Sequence, residues 1–134
     1  MLYALLCYTS EEMVTSWTKQ EDDAVMARLD VVHGKLAAEG KLGPAARLRP
    51  TTTAKTLWKG HDQSLVTDGP YAETKEQLLG FYLVECATFD EAVEIARQLE
   101  QANPGVGAYE IRPLSLFLEG NWSEKAPEGK VATG

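Results

Sequence analysis

Two rhythms of apolar positions organise the chain. Leu2 to Tyr8 and Leu78 to Cys86 are dense apolar runs of strand length, the second carrying Leu78, Leu79, Phe81, Tyr82, Leu83 and Val84. Between them, Val25, Leu29, Val32 and Leu36 recur at helical spacing, with Met26 widening the stripe. Thr18 and Glu21 ahead of it have capping-box spacing, and Gly40 behind it supplies a left-handed stop, so the pattern predicts a helix over Lys19 to Glu39. Thr88 and Glu91 repeat the spacing before a second stripe of Phe89, Ala92, Val93, Ala96 and Leu99, which stops before Asn103-Pro104-Gly105. Ala45 to Arg49, Thr52 to Lys59 and Ser64 to Thr67 read as short strands. The last two form a hairpin around Gly60-His61-Asp62-Gln63. Ala108 to Phe117 is the final strand, broken by Pro113, and residues 119–134 form a polar tail behind a domain spanning 1–118.

The order strand, helix, strands, strand, helix, strand predicts an α+β fold. It is the ferredoxin-like βαββαβ plan with an inserted hairpin, its helices on one face of a mainly antiparallel sheet. Side-chain direction adds an inference. Phe81 and Leu83 point one way and Tyr82 and Val84 the other, while Leu5 and Cys7 oppose Ala4, Leu6 and Tyr8. Both faces are apolar, and two helices cover only one. A second copy is the simplest cover for the other, giving a homodimer with sheets packed face to face. A cleft between sheet and hairpin is the expected pocket.

Composition narrows this only a little. A length of 134 residues suits one domain, and 44% hydrophobic with 25% charged residues is ordinary for a globular protein. The formal net charge of −7, with no basic cluster, argues against nucleic acid and anionic membranes as partners. No apolar run approaches the roughly 20 residues of a membrane span, and no signal peptide is legible. Cys7 and Cys86 both fall inside predicted strands, as buried thiols in a reducing compartment do, so the expected location is cytoplasmic. As neighbouring-strand residues they could also be read as a redox pair, a rarer outcome. No nucleophile motif, phosphate loop, nucleotide fingerprint or metal-ligand spacing is present, and no cofactor is expected.

The chemistry concentrates in Val66-Thr67-Asp68-Gly69-Pro70-Tyr71-Ala72-Glu73-Thr74-Lys75-Glu76. Within it the carboxylates of Asp68, Glu73 and Glu76, the Thr74 hydroxyl and the Lys75 ammonium surround a Gly-Pro turn that restricts the backbone and can aim its neighbours. Asp68 is read two ways: as a general acid/base or ligand acceptor, or as a turn residue capping backbone N–H groups around Gly69. Gly69, Pro70, Tyr71, Thr74, Lys75 and Glu76 are the ligand-binding candidates, set against the plainer reading of a solvated charged turn. Asp68, Glu73 and Glu76 could hold a hard cation, although their spacing matches no calcium loop. His33, on the edge of the first helical stripe, reads as packed against the sheet, and His61 as exposed in its turn. Arg112 could bind an anion or pair with the loop carboxylates.

The segment Leu65 to Leu83 closely resembles the signature of the DGPF subgroup of YCII-related proteins, with Tyr71 in the Phe place of Asp-Gly-Pro-Phe. The resemblance extends to the opening strand, to Ala38-Glu39-Gly40, to Leu48-Arg49-Pro50 and to Glu110-Ile111-Arg112-Pro113, roughly Met1 to Leu116. It implies a dimeric α+β barrel whose role is largely unassigned, with some members associated with extracytoplasmic-function sigma factors. In other members a helical His and an Asp are proposed as a catalytic dyad. Here Leu29 stands at the comparable helical position and His33 lies one turn later, so only Asp68 carries over. Two functions follow as expectations. One is a small-molecule-binding or regulatory module that can meet a protein partner such as a sigma factor. The other is a small cofactor-independent enzyme using Asp68 for proton transfer, with Tyr71, Tyr82 and Trp58 as apolar walls.

Overall fold

A computed structural model describes residues 1–60, 62–63 and 65–122. The expected turn at His61, the strand start at Ser64 and the tail beyond residue 122 lie outside the described residues. In chain order the elements are β1 (Leu2–Ser10), α1 (Glu11–Thr15), α2 (Lys19–Ala38), β2 (Leu42–Arg47), a 3-10 turn (Thr51–Thr53), β3 (Lys55–Trp58), β4 (Leu65–Asp68), β5 (Glu76–Glu85), α3 (Phe89–Ala102) and β6 (Gly107–Pro113). Four strands form one antiparallel sheet in the order β2-β5-β1-β6, the ferredoxin-like arrangement. β3 and β4 form a separate two-stranded ribbon.

The main helices start where their caps place them. Thr18 Oγ1 accepts the Glu21 N–H and the Glu21 carboxylate accepts the Thr18 N–H, a reciprocal box. The second box is one-sided. Thr88 accepts the Glu91 N–H, but the Glu91 carboxylate turns to the Ala87 N–H and to Lys41. Lys41 also pairs with Glu39, so this cation ties the end of α2 to the start of α3.

One face of the sheet takes the helices. Tyr3, Leu5 and Val84 meet Val25, Leu29 and Leu36 from α2 and Ile95 and Leu99 from α3 in a single core. Leu5, Leu36, Leu99 and Val84 are fully buried, each worth about 1.5–3 kcal/mol relative to an exposed side chain. His33 is half-buried against the sheet, its Nε2 3.2 Å from the Tyr82 hydroxyl. On the other face, cross-strand neighbours Leu6–Phe81, Ala4–Leu83 and Tyr8–Leu78 are half-buried, and none belongs to the core.

The two cysteines do not form a pair. Cys7 lies opposite Gly80, whereas the Cys86 N–H bonds the Met1 carbonyl at the other end of β1. Six residues of strand separate these positions, about 20 Å. Both thiols are free.

A bulge in β5 positions the site. Cys7 faces Gly80 and Tyr8 faces Leu78, leaving Leu79 as the extra residue. Leu79 thereby turns toward the helix side at the end of the sheet. Gly80 lets β2 approach there, because a Cβ at this position would run into the Ala46 carbonyl oxygen.

Candidate functional site

Between Ser10 and Lys19 the chain makes a short helix and then a second start. Ser10 Oγ accepts the Met13 N–H, and Glu11 and Glu12 occupy the favourable first turn of α1. The helix closes at Ser16, and Thr18 caps α2. Trp17, caught between the two helices, packs partly against the core. This elbow, the end of β2 and the bulged Leu79 enclose a cleft of about 410 Å³. Val14, Trp17, Leu48, Pro50 and Leu79 form its apolar wall, and Glu11, Thr18, Lys19, Asp22 and Arg47 supply its polar groups. Its volume lies in the range of small-molecule pockets, about 300–1,000 Å³.

The charged groups of the cleft differ in how far they are already engaged. Both Glu11 carboxylate oxygens accept the Thr51 N–H, at 3.2 and 3.0 Å. This contact hangs the segment leading to the β3–β4 ribbon on α1. Arg47 donates from Nη2 to Asp22 Oδ1 at 3.3 Å, and Lys19 pairs with Asp23 at the exposed surface.

A second, smaller chamber of about 60 Å³ lies behind Val14 and Trp17, which line both spaces. Cys7, Met13, Asn103 and Tyr109 are among its walls. Burial pushes the Cys7 thiol up despite its hydrogen bond with Tyr109, and burial together with the neighbouring Cys7 pushes the Tyr109 hydroxyl well up. Tyr82 is raised for the same first reason. The Cys7 thiol and the Tyr109 hydroxyl in this chamber are therefore held in their neutral, hydrogen-bonding forms.

The Asp-Gly-Pro-Tyr loop sits elsewhere. The Asp68 side chain is 86% exposed, and its Oδ1 lies 2.7 Å from Lys55 Nζ. The turn itself is held by backbone and by Thr56. The Gly69 N–H donates to the Ala54 carbonyl at 2.8 Å, and Thr56 Oγ1 donates to the Gly69 carbonyl at 2.9 Å. Gly69 has φ of +109°, a backbone conformation that glycine accepts and other residues rarely do. Pro70 is half-buried. Tyr71 is exposed and lays its ring against Trp58, with centroids 5.6 Å apart, while Trp58 Nε1 donates to Thr67 Oγ1. Thr74 donates to the Glu76 carbonyl, and the Gln77 amide donates to the Ala72 and Thr74 carbonyls. Lys75 is exposed.

The linings of the two spaces contain none of Asp68, Gly69, Pro70, Tyr71, Thr74, Lys75 and Glu76. The loop nevertheless ends beside the cleft. Glu76 is paired with Ser10, the cap of α1, and Leu79 enters the cleft three residues later. Arg112 lies 3.8 Å from Glu110 on β6 rather than against the loop. Among the described residues no group of three or more His, Cys, Asp or Glu side chains is placed to hold a metal ion. No helix among them is long and apolar enough to cross a membrane.

The sequence reading passed over Glu11, Trp17, Asp22 and Arg47. The available signal was weak: Ser10 followed by two acids marks a helix start, but five residues are too few for periodicity to show.

Comparison with known proteins agrees with the geometry. An uncharacterized protein of Rhizobium meliloti (strain 1021) is 55% identical over 120 residues, covering 90% of this chain and 97% of that protein. The profile of the YCII-related domain matches residues 1–117, the whole ferredoxin-like unit and the ribbon inserted in it. This chain, with its Asp-Gly-Pro-Tyr loop and its bulged fifth strand, belongs to the YCII-related family.

Proposed function

We propose that this YCII-related chain binds a small molecule in the cleft formed by α1, the start of α2, the end of β2 and Leu79. The carrying observation is the cleft's make-up: a continuous apolar wall headed by Trp17, facing a few charged groups, with a volume of about 410 Å³. Binding is preferred to catalysis through Asp68 because that carboxylate stands open to water beside Lys55. The Asp-Gly-Pro-Tyr loop is read as the support that sets the start of β5, and so Leu79, against Ser10.

The working unit in this reading is a homodimer. Leu6, Phe81 and Leu83 offer an apolar sheet face that the helices leave uncovered, and Glu110 and Arg112 on β6 give it a polar rim. A second copy of the same face buries it symmetrically.

A fragment screen by ligand-observed NMR on the full chain tests the site. Hits are expected to weaken in Trp17→Leu and Leu48→Ala and to persist in Tyr71→Ala. Hits that follow Tyr71 and ignore Trp17 would move the site to the loop and overturn the assignment.

A further inference from the structure

Resting on the cleft as the ligand site, we infer that its ligand is an amphipathic organic anion: a flat apolar body on Trp17 and a carboxylate held by Arg47. The inference comes from which polar groups of the lining are already engaged. Glu11 is already engaged, both its oxygens sharing the single Thr51 N–H. Asp22 already receives Arg47. Arg47 carries five N–H donors in a planar fork, and among the described residues its hydrogen bond is one Nη2 contact of 3.3 Å with a half-exposed side chain. Such a single long contact is weaker than the paired geometry a carboxylate can offer the same fork. The Arg47 fork therefore keeps donor capacity for a further acceptor at the cleft. The first turn of α2, which opens at Thr18 and Lys19 in the same lining, adds the positive end of a twenty-residue helix.

Shape points to a flat body. Trp17 is a rigid plane fixed by its packing against the core, and Leu48, Pro50, Val14 and Leu79 complete the wall around it. Asp22 then acts as the internal competitor for Arg47. An incoming carboxylate takes the guanidinium, and Asp22 is released to water. This predicts an unusual sign: removing the charge of Asp22 strengthens binding.

The test uses three probes of nearly equal shape, 2-naphthoate, 2-naphthamide and 2-naphthylmethylamine, titrated into the full chain by isothermal calorimetry. The acid is expected to bind at least tenfold more tightly than the amide, and the amine most weakly. Arg47→Gln should bring the acid down to the level of the amide and leave the amide unchanged, and Asp22→Asn should tighten the acid several-fold. Folding of each variant is checked by its melting point, and Arg47→Lys provides a milder second variant that should fall between parent and Gln. If the amide or the amine binds as well as the acid, with Leu48→Ala weakening all three, the anion assignment fails and the cleft stands. If the acid binds best but is indifferent to Arg47→Gln, the anchor is wrong and the inference is overturned. If no probe binds at millimolar concentration, both the anion and the cleft assignments fall.

Discussion

Replacing Glu11 by alanine should loosen the β3–β4 ribbon while leaving the four-stranded sheet folded. Glu11 is the side chain that joins α1 to the segment entering β3, through its two contacts with the Thr51 N–H at 3.2 and 3.0 Å. A hydrogen bond to a charged group contributes about 1.5–3 kcal/mol when shielded. Here the carboxylate is half-buried and shares one N–H between its two oxygens, which lowers the figure to about 1 kcal/mol. Loss of one acid from the first turn of α1 adds about 0.3–0.5 kcal/mol on the same side. A total near 1.3–1.5 kcal/mol corresponds to roughly tenfold faster local opening. Hydrogen exchange read by NMR or mass spectrometry on the Thr51, Gly69, β3 and β4 amides is the assay, with β1 and β5 amides as the internal reference. Glu11→Gln keeps one acceptor oxygen and should lie between parent and alanine. If ribbon amides exchange at the parent rate in Glu11→Ala, Glu11 is not what holds the ribbon. If β1 and β5 amides accelerate equally, the ribbon is not a separate unit of stability.

Asp68→Ala should leave the melting point within about 2 °C, because an exposed ion pair contributes about 0–1 kcal/mol and the turn is held by Gly69, Ala54 and Thr56 instead; a drop of many degrees would show a capping role that the structure does not contain. Gly80→Ala should destabilise by about 1–3 kcal/mol, seen in a urea melt, because the new methyl group meets the Ala46 carbonyl in a neighbouring strand; a neutral result would mean that β2 can move aside. The carboxyl of Glu91 is held below its ordinary value of 4.5, first by its hydrogen bond with Lys41 and then by the Ala87 N–H. A depressed folded-state value gives stability that is present above the unfolded pKa and lost as pH falls through the folded one, so Glu91→Gln should flatten the acid limb of the melting-point profile below about pH 4.5; an unaltered limb would remove Glu91 from the account. If the proposed homodimer forms through the open sheet face, Phe81→Glu should halve the mass seen by light scattering; an unchanged dimer mass would place the interface elsewhere, and a monomer mass in the parent would refute the dimer.

Much of the fold is legible in the sequence, and the reasons are local. The α2 stripe, its reciprocal cap and Gly40 define the helix almost to the residue, and the opposite directions of Phe81 and Tyr82 separate the two sheet faces correctly. What escaped depends on relationships between distant segments. The cleft needs Arg47 from one strand, Trp17 from an elbow and Leu79 from a bulge, and none of these announces its orientation in its own neighbourhood. The bulge matters most, since a shift of one residue decides whether Leu79 faces the helix side or the open face. The charged loop drew attention because its composition is dense, yet its polar groups are turned to water, to Lys55 and to the loop's own backbone. The Trp58–Thr67–Tyr71 contacts rest on the register of β3 against β4, with Trp58 opposite Leu65.

The outer strands of the main sheet both contain proline. Pro44 falls at the irregularity between Leu42 and Ala45 in β2, and Pro113 ends β6. A proline has no N–H to offer an incoming strand, and an interrupted ladder twists the edge away from a flat template. Each rim of the main sheet therefore carries a position that an incoming strand cannot pair with. Stacking across the apolar face, as in the proposed homodimer, would close after two subunits. In the proposed homodimer, interrupted rims beside a self-complementary face favour a closed pair over growth through the main sheet.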